Sequence, residues 1–265
     1  MADEVARAWD AEYAAGRYTR EPPVAFVTDI VAAARAAGVE HGLYIGCGNG
    51  RNYVPLTAAG LDLTGLDISP TAIAQLAARL PERRDRLVTG DLSALPAGQR
   101  FPLVVAIQVL QHGTRAQAHG LLAGSLARVA AGGLFAIRVN AVGTDVHLAH
   151  EITERDEDGS FSVRYLEGPK AGMSIHFWAA RELDAALSAA GFAPVLALRP
   201  HATWRTARGD IPRDTGERTE WLDAQWRRVD DWIDAQLEPS PRPPNGRQPT
   251  AMTAAPVPGS AGPSR

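Results

Sequence analysis

The first half of the chain places glycines and carboxylates where they could bind a nucleoside. The apolar stretch Leu43–Ile45 runs into the glycine-rich loop Gly46–Gly50. Glycine lets the backbone turn sharply and lets a ligand approach the main chain, because no Cβ stands in the way. Asp67, 17 residues beyond Gly50, could accept hydrogen bonds from both hydroxyls of a ribose. Asp91 could accept a hydrogen bond from the amino group of an adenine. Together these features predict a site for a nucleoside-containing cofactor.

Arg51 separates this loop from the fingerprint of dinucleotide-binding proteins. It occupies the position where the pattern G-x-G-x-x-G requires its third glycine. A dinucleotide also needs a phosphate site, and the arginine spoils the usual glycine spacing for one. This spacing and the second acid, Asp91, disfavour a nicotinamide-dependent dehydrogenase.

Alternating strands and helices would bring these residues to one edge of a sheet. Apolar runs that end in turn residues predict strands, and the stretches between them predict helices. Ser69 and Pro70 suit the cap and first turn of one such helix. The alternation from about residue 42 to residue 139 is typical of a doubly wound parallel sheet. The predicted strands cover residues 43–45, 61–67, 87–91, 101–109 and 134–139, and the predicted helices cover residues 53–59, 69–80 and 116–130.

Two helices are predicted before the first strand. Val5, Trp9 and Tyr13 recur every four residues, as on one face of an amphipathic helix. A second helix is predicted over residues 24–37, with Gly38 as its stop.

The second half of the chain departs from this alternation. Residues 140–178 are predicted to form an insertion, with a turn at 155–159 and a half-buried strand at 161–165. A helix at 180–190 and a strand at 192–198 follow, and residues 202–207 are predicted to pair antiparallel with that strand. Residues 238–265 are predicted to be disordered, because they are rich in Pro, Gly, Ser and Ala. The last predicted helix covers residues 220–237 and carries one apolar stripe, formed by Leu222, Trp226, Val229, Ile233 and Leu237.

The composition narrows the classes of protein. The chain has 265 residues, 45% of them hydrophobic, and a net charge of -3, which suits an ordinary globular protein. Lys170 is the only lysine and the arginines form no long basic run, so no nucleic-acid partner is expected. The single cysteine, Cys47, excludes an internal disulfide and a multi-cysteine zinc site. Neither a signal peptide nor a membrane-spanning apolar run is evident, so we expect a cytoplasmic protein. We expect it to be a monomer or a homodimer.

The chain resembles the class I S-adenosylmethionine-dependent methyltransferases, of the small-molecule type. The resemblance covers about residues 38–198. It implies a Rossmann-like, seven-stranded α/β sheet, mostly parallel with an antiparallel last strand, and S-adenosylmethionine as cofactor with S-adenosylhomocysteine as product. It also implies that residues 1–37 form a cofactor lid and residues 38–237 a methyltransferase domain. The segments that carry it are Ile45–Gly50, Leu66–Ser69, Gly90–Leu92, Phe101–Gln111 and the passage from His176 to Phe192.

The resemblance also implies roles for individual residues. The loop would hold the methionine moiety and the ribose, and Asp67 would hold the ribose hydroxyls. Asp91 would bind the adenine amine, and Gln108 would line the cofactor near its methyl group. Tyr44 stands where many family members have an acid. The complete predicted cofactor set is Tyr18, Gly46, Cys47, Gly48, Asn49, Gly50, Asp67, Ile68, Asp91, Leu92 and Gln108.

Histidines supply the candidates on the acceptor side. His112, just past the predicted fourth strand, is the predicted general base for a hydroxyl or ammonium acceptor, and its alternative is a histidine that caps or packs at the strand end. The H-x-x-H spacing of His147 and His150, with Glu151 next, would suit a metal on one helical face. Further ligands are lacking, so no metal site is predicted. The predicted substrate-binding residues are His147, His150, Tyr165, His176 and Trp178, of which the aromatic ones could equally be core.

The leading hypothesis is methyl transfer to an O or N atom of a small molecule, with natural products as candidate acceptors. A peptide or protein methyltransferase is one alternative, and a cofactor-binding partner protein without catalytic activity is another. Methylation of nucleic acid is disfavoured, because the sequence lacks the Asp/Asn-Pro-Pro-aromatic motif and has no cysteine outside the glycine loop.

Overall fold

The structure is a computed structural model that describes residues 2–19, 21–204 and 218–228. Helices lie on both sides of a large sheet, and a smaller sheet follows in the second half of the chain. The helices are α1 (Ala2–Ala14), α2 (Phe26–Ala36), α3 (Tyr53–Ala58), α4 (Pro70–Arg79), α5 (Arg115–Leu126) and α6 (Ala180–Ala189). The strands are β1 (His41–Ile45), β2 (Asp62–Asp67), β3 (Leu87–Thr89), β4 (Phe101–Ile107), β5 (Val129–Asn140), β6 (His150–Arg155), β7 (Phe161–Tyr165), β8 (Ser174–Phe177), β9 (Phe192–Trp204) and β10 (Arg218–Arg228).

The large sheet has seven strands in the order β3-β2-β1-β4-β5-β10-β9. The neighbouring pairs from β3 to β5 are parallel, whereas β10 is antiparallel to both β5 and β9. This arrangement confirms the predicted α/β fold, a mostly parallel Rossmann-like sheet whose last strand is antiparallel.

The β4 strand shows why the centre of the sheet is apolar on both faces. Leu103, Val105 and Ile107 pack into the cluster that contains α2 and α3 residues. Val104 and Ala106 point the other way and pack into the cluster that contains α5 and α6 residues. Because successive side chains of a strand alternate between faces, a strand covered on both sides is a continuous apolar run. The predicted fourth strand is thus confirmed.

Local start and stop signals act as the sequence predicts. Ser69 caps α4, and its Oγ accepts a hydrogen bond from the backbone N–H of Ala72 at 3.0 Å. Pro70 follows at the first turn, where a missing N–H costs nothing. Gly38 follows α2 with φ +65°, a conformation that glycine adopts without strain.

The helix predicted over residues 116–130 is too long. α5 ends at Leu126, and β5 begins at Val129 and runs through Gly132 and Gly133. Gly132 has φ +67° and lies within β5, where the register with β4 shifts between Phe101 and Leu103. The glycines therefore form a bulge in a strand.

The helix predicted over residues 220–237 is wrong for residues 220–228, which belong to β10. Leu222, Ala224 and Trp226 alternate along the strand and are buried on one face. Leu222 and Trp226 are four residues apart, a spacing that fits both a helix and a strand. The structure does not describe residues 229–237 or the tail 238–265. Residues 202–204, predicted as a separate strand, continue β9, and residues 205–207 also lie outside the described residues.

The insertion folds into the small antiparallel sheet β6-β7-β8. The predicted turn at residues 155–159 is present, and the backbone N–H of Gly159 donates to the carbonyl of Asp156 at 3.0 Å. The helical face proposed for His147 and His150 is wrong, because His147 lies in irregular chain and His150 begins β6. Throughout the described ranges, every helix is too short or too polar to cross a bilayer.

Candidate functional site

The glycine loop after β1 is tied to the neighbouring strand. The backbone N–H groups of Gly46 and Cys47 both donate to the carbonyl of Leu66, at 2.7 and 3.1 Å. Gly46 has φ +69°, and a Cβ there would overlap the Cγ2 of Val109. Gly48 has φ +53°, and a Cβ there would overlap the hydroxyl of Tyr13. Close approach from two sides therefore requires glycine at both positions.

Asp67 lies at the carboxyl end of β2, directly beside this loop. Its Oδ2 accepts a hydrogen bond from the N–H of Gly48 at 2.7 Å, and its Oδ1 accepts one from the N–H of Ser69 at 2.9 Å. Burial raises the pKa of Asp67, and the two N–H groups oppose that rise. Each carboxylate oxygen keeps a second lone pair, which suits a diol. The structure thus brings together the loop and the predicted ribose-binding acid.

Cys47 and Asn49 are both buried in the loop. Burial raises the pKa of the Cys47 thiol well above its usual value, so this thiol is not an activated nucleophile. Asn49 is held by Arg79, whose Nη1 donates to the Asn49 carbonyl at 2.6 Å. Tyr44 lies below the loop in the core, where its ring meets the ring of Tyr53 edge-on at 6.2 Å.

Asp91 follows β3 and is exposed. Its Oδ1 accepts hydrogen bonds from the N–H and the hydroxyl of Ser93, at 2.8 and 2.6 Å, and these bonds lower the pKa of Asp91. The N–H of Gly90 donates to the carbonyl of Asp67 at 2.8 Å, so the ends of β2 and β3 are adjacent. Leu92 and Ile68 are half-buried beside these two acids. One carboxylate oxygen of Asp91 thus already has hydrogen-bond partners within its own turn. The contact of Asp91 with an adenine stays a prediction.

Gln108 carries the strained backbone that follows β4. Its φ is +61°, a value that non-glycine residues rarely adopt. Its N–H donates to the carbonyl of Arg138 at 2.7 Å, and its Oε1 accepts from the Nη1 of Arg51 at 3.4 Å. Arg51 also pairs with Glu21 at 2.8 Å. Strain of this kind is often found at functional sites, and here it falls at the position predicted to line the methyl group.

Helix α1 crosses the loop and the start of α4. Oδ1 of Asp10 accepts hydrogen bonds from the hydroxyl of Ser69 at 2.6 Å and the N–H of Thr71 at 2.9 Å. The Nε2 of Gln75 donates to the carbonyl of Tyr13 at 2.9 Å. These contacts could not be predicted from the sequence, because 59 residues separate Asp10 from Ser69 and no local pattern links them. They support the predicted lid role of α1, which stays a prediction.

An aromatic cap, formed by Trp9, Tyr13, Tyr18 and His112, lies between α1 and the end of β4. Trp9 meets His112 edge-on with ring centroids 5.0 Å apart, and it lies 6.2–6.3 Å from the two tyrosine rings. Tyr18 has φ +66°, and its hydroxyl donates to Glu12 at 3.3 Å. The cap brings the predicted base and the predicted lid residues together.

His112 is neutral at physiological pH. Burial and, to a smaller extent, the nearby Lys170 lower the pKa of His112 to about 4, and a hydrogen bond to the backbone of Gln108 opposes part of that shift. Its Nδ1 is buried and has no hydrogen-bond partner among the described residues. An uncharged imidazole with one unpaired nitrogen can accept a hydrogen bond or a proton from a ligand.

This depressed pKa predicts acid sensitivity of the fold. The unfolded chain binds a proton at His112 below about pH 6.5, whereas the folded protein does so only near pH 4, so the stabilisation is complete above about pH 6.5 and is lost as the pH falls toward 4. We expect this histidine to contribute about 2 kcal/mol to the loss of unfolding free energy, after allowance for partial solvent screening. Denaturant unfolding between about pH 7 and pH 5 measures it. A His112→Gln variant should show a shallower pH dependence, and an equal slope would contradict the assignment.

The residues predicted to bind substrate do not form one group. His147 and His150 belong to the insertion, and the ring of His150 bonds to the carbonyl of Leu148 at 2.8 Å. Tyr165 packs in the small sheet's own apolar cluster. His176 and Trp178 are fully buried. In this conformation neither of those two side chains has surface left to contact a substrate.

The fold is that of the class I S-adenosylmethionine-dependent methyltransferases. TehB from Haemophilus influenzae matches with a TM-score of 0.56 at 16% identity, over 83% of this chain and 67% of TehB. The 1,6-didemethyltoxoflavin N1-methyltransferase of Burkholderia thailandensis matches with a TM-score of 0.55 at 20% identity, over 86% of this chain and 90% of that enzyme. In addition, residues 43–135 match the family model described as a methyltransferase domain. The resemblance seen in the sequence is thus confirmed.

Two curated relatives share parts of the sequence. The ubiquinone biosynthesis O-methyltransferase of Methylobacterium sp. (strain 4-46) is 38% identical over 94 residues, which are 34% of this chain and 37% of that protein. A protein of Kineococcus radiotolerans named phosphoglycerate kinase is 36% identical over 156 residues, which are 57% of this chain and 32% of that protein. The chain thus spans about a third of the length of these relatives. Most of the protein named phosphoglycerate kinase lies outside the matched segment, so its name assigns no activity to this chain.

Proposed function

We propose that this protein transfers the methyl group of S-adenosylmethionine to an O or N atom of a small molecule. The observation that carries the proposal is the contact of Asp67 with Gly48. It places a carboxylate suited to a ribose against a glycine loop, at the carboxyl ends of β1 and β2. In such sheets ligands bind at that edge, beside the point where the strand order reverses.

The residues present fit this cofactor. Gly46 and Gly48 have no Cβ at points where Val109 and Tyr13 leave no space for one, and the missing Cβ would let the methionine moiety approach the loop backbone closely. Asp67 offers lone pairs for the ribose, while Ile68, Asp91 and Leu92 would surround the adenine. In the loop, Cys47, Asn49 and Gly50 would complete the cradle. Gln108 would lie nearest to the methyl group, and Tyr18 would close the site from above.

When bound, S-adenosylmethionine supplies an activated methyl group on a sulfonium, and the protein must align the acceptor with it. Alignment of two reactants contributes much of the rate in such transfers. His112 would accept the proton that a hydroxyl or ammonium acceptor loses, because its imidazole is neutral and its Nδ1 is unpaired among the described residues. The aromatic cap would exclude water around it.

A small molecule is the favoured acceptor, because α1 and the aromatic cap cover the site and leave little room for a macromolecule. The related proteins are consistent with this size class. The Burkholderia enzyme was solved with bound 1,6-didemethyltoxoflavin and S-adenosylhomocysteine, and an amino pentose methyltransferase of calicheamicin biosynthesis, solved with bound S-adenosylmethionine, has a TM-score of 0.50.

Calorimetry with S-adenosylmethionine, S-adenosylhomocysteine and NAD tests the cofactor. We expect saturable binding of the first two and none of NAD, because the loop lacks the dinucleotide spacing. If neither S-adenosyl compound binds, the proposal is wrong. A panel of small amines, phenols and carboxylic acids, assayed for S-adenosylhomocysteine formation, would then identify the acceptor class.

The variant His112→Ala tests the proposed base. With an acceptor from that panel, we expect kcat to fall about 10- to 100-fold, at the low end of general-base effects because a group of pKa about 4 is a weak base. The affinity for S-adenosylmethionine should stay unchanged. His41→Ala, which alters an exposed histidine at the start of β1, is the control. Wild-type turnover in His112→Ala would assign this histidine to packing.

A further inference from the structure

The geometry points to a binding site for a divalent transition-metal ion, with zinc as the best fit, formed by His119, His176 and Glu182. The three residues come from α5, β8 and α6, and none belongs to the glycine-loop site. One ligand atom from each lies within 4.8 Å of the others. His119 Nε2 is 2.8 Å from Oε1 of Glu182, and His176 Nε2 is 3.0 Å from its Oε2.

The donor set matches the chemistry of zinc. Two imidazole nitrogens and one carboxylate form a set that zinc accepts, with water in the fourth position of a tetrahedron. The two His–Glu182 separations are about 3 Å and the third pair lies within 4.8 Å, so small shifts place each donor atom about 2 Å from a central ion. The side chain of His119 is 33% exposed, so an ion can enter there and keep a water ligand.

A second layer of contacts holds the buried histidine in a suitable orientation. The hydroxyl of Ser162 lies 3.1 Å from Nδ1 of His176, which leaves Nε2 directed at Glu182. Metal-binding histidines usually have such a partner on the other ring nitrogen. A hydroxyl can donate or accept, so it satisfies His176 with or without a metal on Nε2. Trp178 packs against both imidazoles, at 4.7 and 4.9 Å, and restricts their rotation.

The net charge of the surrounding side chains favours binding of a cation. Arg115 bridges Glu182 and Asp156 through its Nε, at 2.8 and 2.7 Å, and its backbone N–H bonds to Glu154 at 2.9 Å. The guanidinium thus pairs with two carboxylates, and Glu154 binds the backbone of the same residue, so three acids and one arginine leave two negative charges for a divalent ion to balance. Arg115 can keep its bond to Asp156 while Glu182 turns to the metal.

Such an ion would join the small sheet to the large domain. The N–H of His176 donates to the carbonyl of Gln111, and the N–H of Gly113 donates to the carbonyl of Ser174, both at 2.8 Å. β8 therefore contacts the backbone on either side of His112. We infer that bound zinc fixes the strand that supports this histidine.

Zinc titration of untagged, chelator-treated full-length protein tests the site. By calorimetry and elemental analysis we expect one zinc per chain, together with a rise in the thermal unfolding midpoint. His119→Ala and Glu182→Gln should each lower zinc affinity about 100-fold or more and remove the thermal shift. His41→Ala, an exposed histidine outside the cluster, should bind zinc as the wild type does.

Zinc stoichiometry well below one in the wild type would overturn the proposal, as would affinity that survives both substitutions. Glu182 is buried, so Glu182→Gln could fail to fold. His119→Ala changes a partly exposed ring. If Glu182→Gln does not fold, the zinc affinity of His119→Ala alone tests the site, and circular dichroism checks that this variant is folded. These readouts do not depend on methyl transfer, so the metal site can fail while the proposed function stands.

Discussion

Asp67→Ala should weaken the binding of S-adenosylmethionine about 1,000-fold. Two hydroxyls of a ribose would each lose a hydrogen bond to a charged acceptor, and such bonds contribute about 1.5–3 kcal/mol apiece. The substitution also leaves the N–H of Gly48 without its partner, so the loop loses one of its anchors. Calorimetry on wild type and variant measures the change in Kd.

Asp62→Ala is the matched control for this experiment. Asp62 lies at the opposite end of the same strand, β2, and pairs with Arg83 and Arg86 on the surface. We expect its replacement to leave cofactor affinity unchanged. If Asp67→Ala binds as tightly as Asp62→Ala, the cofactor site lies elsewhere.

Gly46→Ala should lower the free energy of unfolding by about 4 kcal/mol and abolish cofactor binding. An alanine at φ +69° costs about 1–2 kcal/mol, because its Cβ meets the following carbonyl. The added Cβ would also overlap the Cγ2 of Val109, and overpacking costs about 1–3 kcal/mol more. Denaturant unfolding and calorimetry measure the two effects.

Comparison with Gly38→Ala separates the steric part of that loss from the part due to the positive φ. Gly38 has nearly the same φ, +65°, but a Cβ there meets nothing within 4 Å. We expect it to cost about 1 kcal/mol. Adding Val109→Ala to Gly46→Ala should restore part of the lost stability, because it removes the overlapping methyl group. Equal losses for Gly38→Ala and Gly46→Ala would show that Val109 moves away without cost.

The glycine-loop half of the site could be predicted because its signals are local. Leu43–Gly50 contains a strand end and a glycine turn, Asp67–Pro70 contains a strand end and a helix cap, and each forms as predicted. The apolar run of β4 indicates a strand buried on both faces for the same reason. In these segments short-range chemistry and tertiary structure agree.

β10 could not be predicted because its apolar spacing is ambiguous. Leu222 and Trp226 fit a helix and a strand equally, and the deciding residue, Ala224, is small enough to be overlooked. Asp223 and Gln225 are buried on the opposite face, although polar residues there normally indicate solvent. Only the pairing with β5 and β9 determines the secondary structure.

The histidines of the insertion were assigned by sequence neighbourhood, and this neighbourhood was misleading. His147 and His150 are close in sequence but belong to different local structures. His119 and His176 are 57 positions apart, yet docking of β8 against α5 and α6 brings both to Glu182. Neither Glu182 nor His119 carries a local signal, because their proximity arises only from tertiary packing.

The position of β10 has a consequence for synthesis of the chain. β10 lies between β5 and β9, but among the described elements it leaves the ribosome last. Until Trp221 pairs with Asn140, both β5 and β9 present open edges that can recruit other nascent chains. Such distant pairing is also slow to form, because a long loop must close first. We therefore expect substitutions in β10 to reduce the yield of native protein through aggregation during translation, while the glycine-loop half folds early.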